Sequence, residues 1–598
     1  MKPKTERSRE LLLKLMATPV RRKYFETLRR MLGPTGVISI REEQFFLVLA
    51  IAIGLLAGFC VVLFRVAIAT VRLWLLGSSM HPGWPRVVLV PAVTGLVIAV
   101  VAVRYFPRVR GSGVNQTKGA LYIYDGYIGS GTVVGKFVLS ALAIGSGQSL
   151  GPEDPALQIG AGLASAVGRW LKLSKERLRL MAPVGAAAGM AAAFNAPITA
   201  VLFVIEEVIG RWSAGILGAV VLSAISSVVV ERWFLGDEPL FRVPLYRLNH
   251  AGELLAYAVL GVVGGTASVV FVKIIKNLRP WLRRQPQWSQ YLQPGVAGLL
   301  IGIIAIWHPQ VMGAGYEWMD LAMHNRFPWE LLGILAGLKL LSTVFSFATG
   351  TPGGLFAPVL FMGAMLGGLV ATVEQQMFPA IAVPVGAYAL VGMGALFAGI
   401  LRAPMTSVFM ILEVSGNYSI ILPVMICNSL SYLISRGFQE VPLYDLLSRQ
   451  DGLDLPSLEE DRELAILRVE DAMRPTMGRA LLGDEAIGSA RGIAAGTQET
   501  NFLVSLGEGR WSVLSREALL DEANGEAEPV RSLVRARVPR LYQDQSLEVA
   551  LRFMKERPML PVVHRGNLDL LMGVVSVEDI LRAYRRAGLA EPETAEVS

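Results

Sequence analysis

The stretch Asn195-Ala-Pro-Ile-Thr-Ala-Val-Leu-Phe-Val-Ile-Glu206 is written again as Arg402-Ala-Pro-Met-Thr-Ser-Val-Phe-Met-Ile-Leu-Glu413. Two earlier stretches repeat in the same order. Tyr105-Phe-Pro-Arg-Val-Arg-Gly-Ser-Gly113 returns as Trp307-His-Pro-Gln-Val-Met-Gly-Ala-Gly315. Gly151-Pro-Glu-Asp-Pro-Ala-Leu-Gln-Ile-Gly160 returns more loosely as Gly354-Leu-Phe-Ala-Pro-Val-Leu-Phe-Met-Gly363. The offsets are 207, 202 and 203 residues, so only small insertions separate the copies. One such match is within chance; three in register mark a duplication. Both copies are apolar, and both are interrupted by Gly and Pro at matching places. That is the layout of a membrane transporter built from repeats, whose substrate site lies among broken helices where the halves meet.

With 53% hydrophobic and 17% charged residues, this is not a soluble chain. Apolar runs fill most of 44–435. Those at 45–64, 87–103 and 254–272 approach or reach the roughly 20 residues needed to cross a bilayer. The runs 133–145 and 355–368 are shorter and read as half-spanning or tilted pieces, tolerated where protein or a water-filled cavity satisfies their backbone. Residues 1–41 carry 11 Lys/Arg against 3 Asp/Glu, an excess equal to the whole chain's net charge of +8. Nucleic-acid binding is one reading of a basic lead. Beside a membrane domain, the better one is a cytoplasmic face attracted to anionic lipid. The lead has no early apolar core or small-residue cleavage site, so it does not read as a signal peptide. Cys60 and Cys427 give neither a disulfide framework nor a metal spacing, and the five histidines are scattered. No hydrolytic triad or zinc site presents itself, and nothing here reads as an enzyme.

The chain divides into a basic cytoplasmic lead (1–41), a membrane domain (42–450), a linker (451–465) and a soluble tail (466–598). In the tail, short strands alternate with amphipathic helices. Strands are expected at 539–542, 560–563 and 571–575, and helices at 546–555 and 577–584. A rougher copy precedes them: helix 485–494, strands 501–506 and 511–514 around a Gly507-Glu-Gly509 turn, and helix 516–522.

Acids stand out in the membrane domain. Glu153 and Asp154 lie in apolar sequence where Pro155 favours a helix start, running on through Gln158, Leu163 and Val167. Free N–H groups and the positive dipole end at such a start favour an anion. A carboxylate is itself an anion and can fill the site until a proton neutralises it. Ionisable groups at membrane depth are usually functional. Gly111-Ser-Gly113 leaves a hydroxyl donor between two glycines that permit close backbone approach. Gly353-Gly-Leu-Phe-Ala-Pro358 is the second-half counterpart of the Glu153 loop and offers backbone N–H groups at another helix start. Glu206 and Glu207 end an apolar helix. Adjacent helical residues point about 100° apart, so the two should differ in role.

In order, these motifs are Gly-Ser-Gly, Gly-x-Glu-x-Pro with Gln-Ile-Gly, Ala-Ala-Phe-Asn-Ala-Pro with Glu-Glu, Gly-Gly-x-Phe-Ala-Pro, and Pro442-Leu-Tyr444. The set resembles the CLC family of chloride channels and chloride/proton exchangers over about residues 42–450. The tail resembles tandem cystathionine-β-synthase (CBS) modules, a frequent appendage of that family. The resemblance implies an all-α membrane domain of two inverted-topology repeats with broken helices, followed by an α/β tandem CBS domain. It implies voltage- and pH-sensitive chloride transport, with the hydroxyls of Ser112 and Tyr444 and the backbone amides of Leu355, Phe356 and Ala357 on the central chloride. Glu153 matches the gating glutamate, and Glu207 matches the inner glutamate that relays protons in exchangers. CLC channels usually carry an apolar residue at that second position, so the resemblance favours antiport, two chlorides against one proton. A passive proton-gated chloride channel is the alternative. Ser112 implies chloride over nitrate. The expected partners are chloride, protons, the lipid bilayer and a second subunit in a homodimer, without nucleic acid and with no required cofactor. The expected location is a prokaryotic inner membrane, with both termini cytoplasmic.

Three positions depart from the family pattern. Asn115 stands where Pro is usual, which puts the start of the following helix in doubt. Asp154 replaces a Gly and sets a second acid beside the gate, so the pair can titrate jointly. Pro152 replaces a residue whose N–H would help hold anion, and proline has none. Weaker chloride binding or an altered pH dependence is expected. In the tail, Ser576 and Asp579 resemble a CBS nucleotide motif for the phosphate and ribose of an adenine nucleotide. The same residues also form a helix-capping pattern. The first module has no acid at the matching place, so at most one ordinary nucleotide site is expected. Where the membrane copies correspond, Ser112 faces Ala314, Glu153 faces Phe356 and Glu207 faces Val414. Only Glu206 has an acidic counterpart, Glu413, which points to a structural role for that pair.

Overall fold

A computed structural model of the chain describes residues 42–586 except 79–82, 211–213, 238–239, 242–251, 378–384, 440, 454, 456–466, 476–479, 498, 522–523, 535 and 555–556. The basic lead and most of the expected linker lie outside the described residues. The chain separates into two units, 1–455 and 456–598. The division falls inside the expected linker.

The apolar runs become helices, and Gly or Pro sets where they break. In the first unit α1 spans Glu42–Leu75, α2 Trp84–Tyr105, α3 Gly113–Tyr122, α4 Ser130–Gly145, α5 Glu153–Trp170, α6 Lys175–Phe194, α7 Pro197–Phe203 and α8 Ala214–Leu235. The second half follows with α9 Glu253–Arg283, α10 Gln293–Trp307, α11 Tyr316–Met323, α12 Trp329–Ala348, α13 Phe356–Met377, α14 Val385–Leu401, α15 Pro404–Ser415 and α16 Ile421–Phe438. Helix α17, Leu443–Gln450, closes the unit. Among the described residues, eight helices thus answer eight. A short 3-10 turn precedes α3 at Pro107–Val109 and α11 at Pro309–Val311. Seven helical stretches among the described residues are long and apolar enough to cross a membrane.

The duplication extends to backbone detail. Asn195 and Arg402 both take left-handed φ values, +54° and +57°, at the ends of α6 and α14, just before the repeated Ala-Pro. Helix α5 crosses α6 at Gly160 and Gly185, where a Cβ on either would lie 2.2 Å from the other's carbonyl oxygen. Helix α13 crosses α14 in the same way at Gly363 and Gly392, at 2.4 and 2.3 Å. Small residues let helices meet backbone to backbone where lipid gives no hydrophobic push. Every residue of α14 is buried. By contrast, α1 turns Val48, Leu55, Phe59, Leu63 and Trp74 outward, as a lipid-facing helix should.

One expectation is corrected. The run 355–368 is the first part of a 22-residue helix, α13, not a half-spanning piece. The apolar sequence continues past Gly368 through Leu369, Val370 and Ala371, and the helix runs on through Thr372, Glu374 and Gln375 to Met377. The run 133–145 is short as expected, within the 16-residue α4.

In the second unit α18 is Val469–Ala472, β1 Leu481–Leu482, α19 Ile487–Ala495, β2 Asn501–Ser505, β3 Trp511–Ser515, α20 Arg516–Leu520 and β4 Arg537–Val538. Then come α21 Leu547–Met554, β5 Met559–His564, β6 Asn567–Ser576 and α22 Val577–Arg586. One sheet runs β1-β2-β3-β4, and β5 pairs with β6 alone. The expected strand at 539–542 is not a strand. Only Leu541 bridges to Val562, because Pro539 has no N–H to give to a ladder. The two modules meet where Trp511 Nε1 donates to the Leu568 carbonyl at 3.0 Å and the Gly509 amide to Asp569 at 2.7 Å.

Candidate anion and proton site

The two Gly-rich loops of the repeat meet first. The Gly151 N–H donates to the Gly354 carbonyl and the Gly354 N–H to the Gly151 carbonyl, both at 2.8 Å. This antiparallel bridge sets the starts of α5 and α13 beside each other. Helix α3 approaches from the side: a Cβ on Gly113 would lie 2.3 Å from the Asp154 carbonyl oxygen, which is why glycine stands there. Three helix N-termini and Tyr444 of α17 therefore converge on one buried place.

Ser112 caps α3, its hydroxyl accepting the Val114 N–H at 3.1 Å. That cap starts the helix without the family's proline. Asn115 instead sends its Nδ2 to the Tyr444 carbonyl at 3.0 Å and staples α3 to α17. The doubt about the helix start is resolved by these two side chains.

The Ser112 and Tyr444 hydroxyls and the Ala357 N–H lie close together, and each donates to a carboxylate of the chain itself. The Ser112 hydroxyl donates to Asp154 Oδ2 at 3.0 Å, and the Tyr444 hydroxyl to Asp154 Oδ1 at 3.3 Å. The Leu355 backbone N–H also faces this carboxylate. Glu153 lies one step away, accepting the Tyr316 hydroxyl on Oε1 and the Ala357 N–H on Oε2 at 3.4 Å. Asp154, not Glu153, rests between the two hydroxyls. Both acids are wholly buried. The Phe356 ring packs against Phe203 at 4.9 Å and Phe397 at 5.1 Å, and Phe203 meets Tyr444 edge-on at 6.4 Å.

A cavity opens on each flank. One, of about 510 Å³, is lined by Pro152, Tyr316, Arg65 and Arg72 among others. The other, of about 490 Å³, is lined by Gly111, Gln158, Arg110, Arg279 and Arg283 among others. Guanidinium groups at both mouths raise the local concentration of anions. Part of that charge is answered on the spot, by Glu231 and Glu317 at the first and Asp451 at the second.

The paired glutamates separate as expected. They sit on a π-helical turn, Val204–Ile209, that follows α7. Glu206 accepts the N–H groups of Met405 and Thr406 at 3.2 and 2.8 Å. Glu413 does the same for Ile198 and Thr199 at 2.9 and 2.7 Å. Each carboxylate caps the other half's helix, which is the structural role expected of that pair. Glu207 points elsewhere, to Lys118 Nζ at 2.5 Å, and the same ammonium reaches Asp445 Oδ1 at 3.2 Å.

Several participants carried little or no sequence signal. Tyr316 follows directly on the repeated Gly-x-Gly loop, and that position was its only mark. Lys136 holds the Val109 and Gly111 carbonyls at 3.1 and 2.6 Å, and Lys339 holds Val311 and Gly313 at 2.9 and 2.7 Å. These lysines are 203 residues apart, the same offset as the Gly151 and Gly354 loops, so the repeat register would have found them. Among the described residues no cluster has metal-holding composition. In the tail, Ser576 and Asp579 form a capping box: the Ser576 N–H donates to Asp579 Oδ2 at 2.9 Å and the Asp579 N–H to Ser576 Oγ at 3.3 Å. Arg474 Nε takes the same carboxylate oxygen at 2.9 Å.

The family model described as "Voltage gated chloride channel" matches residues 94–436, and the one described as "CBS domain" matches residues 530–586, the second module only. A "Putative chloride channel protein ClcB-like" of Ralstonia nicotianae is 32% identical over 429 residues, 68% of this chain and 99% of the relative. An "H(+)/Cl(-) exchange transporter ClcA" of Salmonella arizonae is 30% identical over 425 residues, 68% of this chain and 89% of the relative. Among solved structures, that of a slow cyanobacterial Cl-/H+ antiporter aligns with a TM-score of 0.64 at 24% identity, covering 69% of this chain and 99% of its own. A eukaryotic CLC transporter aligns with a TM-score of 0.60 at 22% identity, covering 89% and 97%. At these identities the two structures establish the fold.

Proposed function

The chain belongs to the voltage gated chloride channel (CLC) family, and from that premise we propose that it exchanges chloride for protons across a membrane. The observation that supports the reading is a buried set of O–H and N–H donors whose partners are the chain's own carboxylates. Chloride and a carboxylate compete for the same donors, and a proton on the carboxylate removes the competitor. Uptake of a proton and admission of an anion are then one event, which is what coupling requires. In this reading Ser112, Tyr444 and the amides of Leu355, Phe356 and Ala357 take chloride. Glu153, between the Tyr316 cavity and the anion site, is the gate. Glu207 exchanges protons from the other side. The relative named as a proton/chloride exchanger supports this reading over a passive proton-gated channel.

Vesicles carrying the purified protein test it. An outward chloride gradient should drive protons inward against their own gradient, and Glu207→Ala should stop the protons while chloride still moves. Chloride flux without any uphill proton movement would make the protein a channel.

An adenine nucleotide at the tail is a separate proposal, and it would have to take Asp579 from Ser576 and Arg474. Calorimetric titration with AMP, native against Asp579→Asn, checks it: binding heat that the variant lacks supports the site, and no heat from the native protein removes it.

A further inference from the structure

Lys118 is a buried cation that the reading above does not use. It lies on α3, six residues beyond Ser112, and its side chain is 2% exposed. Its ammonium is 2.5 Å from Glu207 and 3.2 Å from Asp445, whose side chains are each 7% exposed. Two carboxylates and one ammonium leave a net charge of −1 when all three are ionised. An uncompensated charge out of water is strongly disfavoured, so this is where a proton from water is drawn. Two acids sharing one lysine bind that proton as a unit.

The placement of the triad ties it to the anion site. Asp445 follows Tyr444 in the first turn of α17, so neighbouring residues serve the two sites. Lys118 and Ser112 do the same on α3. Asn115 clamps the two helices together through the Tyr444 carbonyl. Ionisable groups near the triad include Glu206, which is committed to the Met405 and Thr406 amides, Tyr444, and Tyr122, whose hydroxyl donates to the Ile209 carbonyl.

We propose that Lys118, Glu207 and Asp445 form one inner proton-holding unit, with Lys118 as its positioning residue and Asp445 as its second carboxylate. The step is a single proton transfer. Hydronium gives up a proton, an O–H bond forms on the Glu207 or Asp445 carboxylate, and the charge of the unit goes from −1 to zero. On release the bond breaks and the charge returns. The inference rests on the antiport reading.

Proton and chloride flux measured together in vesicles decide it, because their ratio is independent of how much protein is active. Lys118→Met and Asp445→Asn should each lower the proton-to-chloride ratio by about tenfold or more, less than the roughly 100-fold of a lost proton-transfer group because each leaves Glu207 in place. Lys118→Arg, which keeps the charge, should restore most of the ratio. A native ratio in either of the first two variants overturns the unit. If Lys118→Met moves no chloride, Asp445→Asn decides alone, since it leaves the Lys118–Glu207 pair in place. No uphill proton movement by the native protein would overturn the antiport reading instead.

Discussion

Replacing Glu153 by Gln is expected to cut coupled proton flux by about 100-fold or more, the range seen when a general acid–base group is removed, while chloride flux continues and keeps only the pH dependence that Asp154 gives it. The amide copies the shape of the protonated acid but holds no exchangeable proton. In the native protein the Glu153 carboxylate is fixed from two sides, by the Tyr316 hydroxyl and the Ala357 N–H. Tyr316 lines the cavity that Pro152 and Arg65 share, so a proton from that cavity meets Glu153 first. Once neutral, Glu153 accepts these donors less strongly, since hydrogen bonds to an ionised acceptor are about twice as strong as neutral ones. Flux of both ions in the same vesicles, followed across pH, is the measurement. Coupled proton flux above about one tenth of native would assign the proton to a neighbouring ionisable group instead, Asp154 first among them.

Most of the fold was legible because membrane helices declare themselves by length and the repeat supplies each element twice. The starts of α5, α7, α13 and α15 carry Pro, and the shared place of Glu206 and Glu413 in the two copies pointed to a structural role, though not to the reciprocal caps that fill it. The site was legible only where residues sit in a motif. Lys118 is one charge in an ordinary stretch, and its partners lie 89 and 327 residues away. Tyr316 reaches Glu153 across 163 residues. No local pattern encodes such pairings; they arise when α3, α11 and α17 are folded against the first-half glutamates. The run 355–368 misled for a different reason. The far end of α13 leaves the packed interior, with Val373 and Met377 exposed, so it tolerates polar residues and apolar length understates the helix's true length.

Asp154→Gly is expected to tighten apparent chloride binding by about tenfold or more, equivalent to about 1.4 kcal/mol per factor of ten. The sequence alone placed a second acid beside the gate and anticipated weakened chloride. The geometry sharpens that expectation, because Asp154 lies on the donors that chloride would need. Hydrogen bonds to a charged acceptor contribute about 1.5–3 kcal/mol each, and Asp154 has two from Ser112 and Tyr444. It also sits in the first turn of α5, where the helix dipole favours a negative charge. A tethered competitor acts at an effective concentration in the millimolar range or above, so chloride must outcompete an anion that never leaves. Removing the carboxylate frees both hydroxyls at once. Asp154→Asn separates charge from space: it keeps the volume and loses the charge, so it should recover part of the gain. Calorimetric titration of the purified protein with chloride reads all three proteins. If Asp154→Gly binds chloride within about twofold of native, well under 1.4 kcal/mol, the hydroxyls of Ser112 and Tyr444 are not the donors for which the two anions compete.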